Sequence, residues 1–273
     1  MLSAIDDDCF TIAKGAAYSS LLSFFPVLTS AAAILIEARA QFVQTQISSF
    51  LSAVLPPGTE QVVSVQLSIR GGKPVWLLIA ADILAVWAGS SVIKSLIDGF
   101  HSAYRVPKSR PFLQQTAVAI LLLLGAALPL LAASALLVFG QDVEGKVLQW
   151  FRIDPILTPL AQLWELLSRI ARFVVAIFAM VSLTTILYYF GPYRKQRVSL
   201  VFPGAVLATA LWVAATVGFG WYIRHVSNYN VLYGSLGTGI ALLVWMYLLC
   251  AIAILGCEFN AEYERMISFN LSS

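Results

Sequence analysis

Charged residues are scarce in this sequence. Only 11% of the 273 residues are Asp, Glu, Lys or Arg, whereas 59% are hydrophobic. Soluble globular domains carry about a quarter charged residues, because a surface in water needs polar coverage. A bilayer removes that need, and a helix of about 20 apolar residues crosses its hydrocarbon core. The composition therefore predicts an integral membrane protein and excludes an ordinary soluble domain.

The residues that carry most enzyme chemistry are also few. The chain has two histidines, His101 and His225, and three cysteines without metal-ligand or disulfide spacing. It lacks the His-x-His-x-Asp-His run that a zinc-dependent ribonuclease needs, and it lacks a phosphate-binding Gly-x-x-x-x-Gly-Lys-Ser/Thr run. We therefore expect no metal, no cofactor, no ATP hydrolysis and no enzymatic activity.

The net charge of +3 is too small to indicate a nucleic-acid partner. No basic face with interleaved aromatic residues suggests RNA binding either. The expected partners are membrane lipids, not nucleic acids.

Six apolar runs are long enough to cross a bilayer. They cover roughly residues 15–36, 74–97, 116–138, 173–190, 200–223 and 236–257. The fourth run is short, but the helical pattern of "PLAQLWELLSRIARF" before it suits an extension. The sequence thus predicts an all-α, polytopic membrane protein with six transmembrane helices, forming a single integral membrane domain over residues 1–273.

Basic residues orient these spans. The short connectors 98–115 and 191–199 each hold three Lys or Arg residues, whereas acids dilute the basic residues of the longer connectors 37–73 and 139–172. Dense Lys and Arg in short loops mark the cytoplasmic face. Both the N- and the C-terminus are therefore predicted to be cytoplasmic.

The two long outer connectors each contain a stretch with helical spacing, which predicts an amphipathic helix lying in the interface or capping the bundle. The spaced apolar residues are Val43, Ile47, Phe50, Leu51 and Val54 in the first connector, and Leu160, Leu163, Trp164, Leu167 and Ile170 in the second.

Asp82 lies within the second apolar run, eight residues after Pro74 and so about 12 Å along a helix. An ionised carboxylate at that depth costs a few kcal/mol unless it is paired or hydrated. It marks either a polar or proton-linked pathway or a protonated, hydrogen-bonded structural acid. Lys94 and Asp98 have i, i+4 spacing near the cytoplasmic end and can pair with each other. Asp82 faces about 120° away from Lys94, so its partner must come from another helix.

Two prolines fall near the middle of apolar runs, Pro26 in the first and Pro129 in the third. Each removes a backbone donor and predicts a kink. The hydroxyls of Ser19, Ser20 and Ser23 could satisfy the carbonyl that Pro26 releases, and Ser23 is also a candidate for the polar site. Structural kinks and moving hinges are equally compatible with these positions.

Small residues recur four apart in the fifth run. Gly204 and Ala208 form one such pair, and Ala214 and Gly218 form another. This spacing lets helix backbones approach closely. It predicts a packing face within the bundle or in a homo-oligomer.

The stretch "NYNVLYGSLGTG" introduces the sixth run on the outer side. Asn230, Tyr233 and Gly234 supply hydrogen-bonding groups and backbone freedom, which are tolerated at membrane depth only inside protein or facing water. We expect them to line the bundle or a cavity. Glu258 closes the run at the cytoplasmic end, where it could reach water, and is a weaker functional candidate than Asp82.

Four segments together resemble one known family. They are "AAYSSLLSFFPVL", "VWAGSSVIKSLIDGFHSAYRV", "GPYRKQRVSLVFPGAVLATALW" and "YNVLYGSLGTGIALLVWMYLLCAIAILGCEFNAE", which cover nearly the whole chain in order. The sequence is similar to the YihY/BrkB family of bacterial inner-membrane proteins, with His101 departing from the Asn that the family pattern would place there. The resemblance implies a six-helix inner-membrane protein with cytoplasmic termini. Members have been labelled ribonuclease BN or linked to serum resistance and envelope lipid handling.

Two functions remain open. The first is transport or flipping of a lipid or other amphiphile without ATP hydrolysis. Three features favour it: the kinked spans, the intramembrane carboxylate and the Gly-rich segment before the sixth run. The alternative is a non-transporting scaffold in envelope assembly, which the amphipathic outer helices explain equally well.

A ribonuclease assay tests the absence of nuclease chemistry. Detergent-purified protein supplied with divalent metal should show no RNA cleavage above a mock preparation, because the chain lacks a metal-ligand cluster. Cleavage that copurifies with the protein and disappears on its mutation would contradict this expectation.

Overall fold

The computed structural model describes residues 8–37, 75–106, 110–126, 160–225 and 235–272, and all regular structure in these ranges is helical. The helices are α1 (Cys9–Glu37), α2 (Val75–Ala103), α3 (Phe112–Ala126), α4 (Leu160–Phe190), α5 (Val198–His225) and α6 (Ser235–Ser272). The predicted all-α class is confirmed for the described part of the chain.

Within the described ranges, four helical segments are long and apolar enough to cross a membrane. They are Asp82–Ala103, Leu166–Phe190, Val198–Ile223 and Gly239–Ser268. These correspond to the second, fourth, fifth and sixth predicted runs. Helix α3 is apolar but shorter over its described residues. The first predicted amphipathic stretch, residues 43–54, and Pro129 lie outside the described residues.

The two largest extensions beyond the predicted runs are those of α4 and α6. Helix α4 begins at Leu160, so the amphipathic pattern predicted for the second outer connector is continuous with the fourth span. Helix α6 reaches Ser272, fifteen residues past the predicted end at residue 257. Neither extension contains a Pro or Gly to stop the helix. Pro26 lies inside α1, which remains one helix across it.

The six helices alternate in direction. Residues from the start of α1, the end of α2, the end of α4, the start of α5 and the C-terminal half of α6 pack in one hydrophobic cluster, represented by Cys9, Phe100, Tyr188, Val201 and Cys257. The start of α3 joins this end through the bond from Gln115 Nε2 to Asp98 Oδ1, 2.7 Å long. We call it the basic end, because both short Lys- and Arg-rich connectors lie there.

Helix α6 is the central element of the bundle, and α5 makes the closest backbone contact with it. A Cβ on Gly204 would overlap the carbonyl oxygen of Gly256 and the amide of Asn260. A Cβ on Gly256 would lie 2.5 Å from the Tyr188 hydroxyl and 2.8 Å from the Ala208 Cβ. Without a strong hydrophobic drive in lipid, membrane helices associate through such close backbone packing.

Replacing Gly204 by Ala tests this contact. The added methyl group would force α5 and α6 apart at a cost of about 1–3 kcal/mol, outweighing the gain of up to about 1 kcal/mol in helix propensity. Gly218→Ala is the matched control, because nothing lies within 4 Å of a Cβ there. In one detergent, Gly204→Ala should lower the midpoint of thermal unfolding, whereas Gly218→Ala should leave it unchanged or raise it. Equal midpoints for both variants would contradict the packing argument.

Candidate functional site

Most buried polar side chains in the described helices satisfy themselves locally. Four hydroxyls donate to carbonyls three or four residues earlier in their own helix, at 2.7–2.9 Å. They belong to Ser23, Ser90, Thr184 and Thr209. His101, Glu258 and Asn260 are also buried, but their sequence neighbours do not account for their environments. These three residues define the candidate site, and all of them lie toward the basic end.

Glu258 is a carboxylate inside the most deeply buried candidate span. Its side chain is 5% exposed, and the nearby Cys257 and Asn260 of the same helix are fully buried. It lies within electrostatic range of the Tyr104 hydroxyl. Ionisable groups are costly in such surroundings, so their presence within a span is a default sign of function.

Tyr104 and Arg194 extend this polar region outward. The guanidinium of Arg194 lies over the Tyr104 ring, 4.4 Å from its centroid, and forms an ion pair with Glu264. Burial raises the pKa of Tyr104 well above its usual range; the neighbouring Cys257 thiol raises it further, and Arg194 opposes the shift. Tyr104 is therefore a neutral hydroxyl at physiological pH. No described residue accepts or donates a hydrogen bond at its oxygen.

Tyr188 joins α4 to the site. Its hydroxyl donates to the carbonyl of Ala253 on α6 at 2.6 Å, and its ring meets Phe100 edge to face with centroids 5.3 Å apart. The side chain is fully buried. A buried phenol with its hydroxyl satisfied fixes the distance between helices, because both the ring and the bond must be accommodated.

Asn260 bridges α5 and α6 around Pro203. Its Oδ1 accepts a hydrogen bond from the Gly204 N–H at 2.7 Å, and its Nδ2 donates to the Val201 carbonyl at 2.8 Å. A proline within a helix leaves backbone groups unpaired. The carbonyl that Pro203 frees is that of Ser199, whereas Asn260 binds the Val201 carbonyl and the Gly204 N–H on either side of the proline. Both polar atoms of the Asn260 amide are thus satisfied, which explains why this side chain is tolerated in a dry contact.

The polar residues predicted on α2 lie apart from this site. Asp82 is exposed on the bundle surface, seventeen residues before Gly99 and so about 25 Å from the basic end along the helix. Lys94 and Asp98 engage α3 instead of each other. The Lys94 ammonium lies 5.4 Å from the Phe112 ring centroid, and Asp98 accepts the bond from Gln115.

The other predicted candidates divide between buried, exposed and undescribed positions. Gly204 and Ala208 lie in the α5–α6 contact, whereas Ala214 and Gly218 are exposed. Asn230, Tyr233 and Gly234 lie outside the described residues. Glu258, expected to reach water, is buried instead. The reason is the extension of α6 beyond residue 257, which keeps Glu258 inside the helix contacts.

The family described as Virulence factor BrkB matches residues 2–272. The chain belongs to the BrkB family. This confirms the resemblance found in the sequence.

Several curated relatives of this BrkB-family chain are similar over most of its length. It is 28% identical to the ribonuclease-like protein YfkH of Bacillus subtilis, covering 91% of this chain and 88% of YfkH. It is 27% identical to a UPF0761 membrane protein of Photobacterium profundum, covering 98% and 81%. A UPF0761 membrane protein of Alkalilimnicola ehrlichii is 28% identical, but the match spans 55% of that longer protein. No solved structure matches the chain.

Sequence reasoning missed the roles of Tyr104, Tyr188 and Asn260 in this BrkB-family protein. One signal was present: Gly256 and Asn260 are four apart on α6 and therefore share a face. That face meets Gly204 on α5. The partners of the tyrosines depend on α2, α4 and α6 meeting, which no local pattern specifies.

Asn260→Ala tests the bridge around Pro203. The substitution removes two buried hydrogen bonds, each worth about 0.5–1.5 kcal/mol. Gln115→Ala is the control, because it removes an exposed hydrogen bond and should change stability by no more than about 0.5 kcal/mol. Unfolding midpoints measured in one detergent should fall clearly for Asn260→Ala alone. A comparable fall in both variants would contradict a special role for Asn260.

Proposed function

We propose that this BrkB-family protein transports or flips a lipid or another amphiphile across the bacterial inner membrane without hydrolysing ATP. The observation that carries the proposal is Glu258, a carboxylate buried in the central helix of an apolar bundle and within electrostatic range of the buried hydroxyl of Tyr104. A non-transporting helical bundle has no need for such a costly group, whereas a polar pathway does.

The proposed topology has six spans with both termini in the cytoplasm. The alternating directions of the helices support it, because α1 begins and α6 passes at the same end of the bundle. The two short basic connectors lie at that end as well. Dense Lys and Arg favour the cytoplasmic face, which assigns the basic end to the cytoplasm.

Asp82 adds a second polar position to the proposed pathway. It is exposed together with the adjacent Ile83 and Leu84, so this part of α2 faces the surroundings of the bundle. A lipid keeps its tails in the bilayer while its headgroup crosses. A carboxylate on the outside of α2 is therefore placed where a polar headgroup would pass.

A scaffold in envelope assembly is the alternative. Ala214 and Gly218 are exposed on α5, and a Cβ at Gly218 would meet nothing within 4 Å. Small residues at this spacing suit a close contact with another helix, in a homo-oligomer or a partner protein.

We propose no ribonuclease activity, although the name of YfkH describes that relative as ribonuclease-like. His101 lies at the C-terminal end of α2, which is at the basic end of the bundle. His225 lies at the C-terminal end of α5, which starts at the basic end and runs away from it. The two imidazoles are thus at opposite ends of the bundle and cannot share a metal. In the part of the chain that the structure describes, no group of three metal-ligating side chains occurs.

Lipid translocation in proteoliposomes tests the proposed function. Wild-type protein should move a fluorescent phospholipid between leaflets faster than empty liposomes do. Glu258→Gln keeps the shape of the side chain but removes its charge, and should slow translocation about tenfold, equivalent to roughly 1.4 kcal/mol in the barrier. Asp82→Asn, at matched incorporation, should also slow it.

The control is Gln115→Ala, which removes a partly exposed side chain and its exposed hydrogen bond at the same end of the bundle. It should transport like the wild type. Folded wild type that moves no lipid, with or without an ion gradient, would contradict transport of the lipids tested and favour the scaffold. Transport that is unaffected by both carboxylate variants would remove Glu258 and Asp82 from the pathway.

A further inference from the structure

The connector between α4 and α5 displays two cations on one side. Along residues 193–197, exposed and half-buried side chains alternate. Tyr193, Lys195 and Arg197 are exposed, whereas Arg194 and Gln196 turn toward the bundle. The three exposed side chains all point away from the bundle, and we call them the exposed face of the connector.

The inward-facing residues hold this conformation. The Gln196 Nε2 donates to the carbonyls of Tyr188 and Tyr189, which are acceptors left open by the end of α4. Arg194 is held by Glu264 and by the ring of Tyr104. The connector is therefore fixed at two alternate positions.

A second connector braces it from the side. The two terminal nitrogens of Arg110 donate to the carbonyls of Gly191 and Phe190 at 2.7 and 3.0 Å. The same guanidinium lies 5.1 Å from the centroid of the Tyr193 ring. The Tyr193 N–H donates to His101 Nε2 at 3.1 Å. Side chains from α2 and from the α2–α3 connector thus fix the orientation of the exposed face.

The cations on that face have no acidic partner within the described ranges. The ion pairs found there join Arg194 to Glu264 and Arg265 to Glu262, and neither involves Lys195 or Arg197. Two exposed cations two residues apart can bind one anionic group together.

The surrounding surface indicates which anion is available. Phe190 before the connector, and Val198 and Phe202 after it, are each about half exposed. The cations therefore lie where the apolar, membrane-facing surface of α4 and α5 ends. Lys, Arg and Tyr at this level contact lipid headgroups, and a soluble protein or nucleic acid would have to displace those lipids first.

We propose that Tyr193, Lys195 and Arg197 form a binding site for the phosphate of an anionic phospholipid in the leaflet at the basic end. The two cations neutralise the phosphate, and the exposed apolar residues of α4 and α5 contact the acyl chains. The proposed binding site does not depend on lipid transport, because it requires only membrane insertion and the geometry of the connector.

Native mass spectrometry of the full-length, detergent-purified protein tests the site. Titration with phosphatidylglycerol should show at least one lipid bound more tightly than phosphatidylcholine. Lys195→Gln and Arg197→Gln should each weaken phosphatidylglycerol binding about fivefold, the effect expected for loss of one cation near anionic lipid. Lys195→Arg should retain binding, since it keeps the charge. Both side chains are exposed, so the unfolding midpoints should not change.

Lys14→Gln is the matched control, because Lys14 is an exposed cation on α1 and its loss changes the net charge equally. It should leave binding unchanged. An equal loss in Lys14→Gln, or equal binding of the two lipids, would overturn the site in favour of general charge attraction. Inorganic phosphate at constant ionic strength should not displace the lipid. Displacement by phosphate at comparable concentration would show that the site takes the free anion and not the lipid.

Discussion

The close contact of α5 with α6 is the constraint on which the rest of the structure depends. Gly204 and Gly256 bring the two backbones together so closely that neither position has room for a Cβ. Asn260 completes the contact with two hydrogen bonds on either side of Pro203. In lipid, where burying apolar surface gains little, such packing and hydrogen bonding decide which helices associate and in what register.

This register determines the environment of the polar groups. Gly256 and Asn260 share the face of α6 that meets α5, whereas Glu258, two residues from each, points roughly to the opposite side of the helix. Its burial therefore comes from other parts of the bundle packed around α6. The same anchoring places Ala253 where Tyr188 can donate to its carbonyl. Helix α6 thus carries the backbone bridge on one face and the buried carboxylate on another.

At the basic end, the cations differ in their contacts. Arg110 and Arg194 bind carbonyls, aromatic rings and Glu264, and so join the connectors to the bundle. Lys195 and Arg197 remain exposed at the edge of the membrane-facing surface. The sequence places all four in short loops, and the positive-inside rule treats them alike. Their different roles follow from which of them the fold uses internally.

The sequence by itself determined the class of the protein, its helical character, its family and the helices that correspond to four candidate spans, because long apolar runs and loop charges act locally. Only the tertiary structure decided which polar residues are buried. The position of Asp82 along α2 predicted its depth in the hydrocarbon but not its cover by protein, and it is exposed together with Ile83 and Leu84. Glu258 looked accessible near the end of a run, but α6 continues past it and the surrounding bundle buries it. Burial is a property of contacts between helices that are distant in sequence, and no pattern within one helix specifies it.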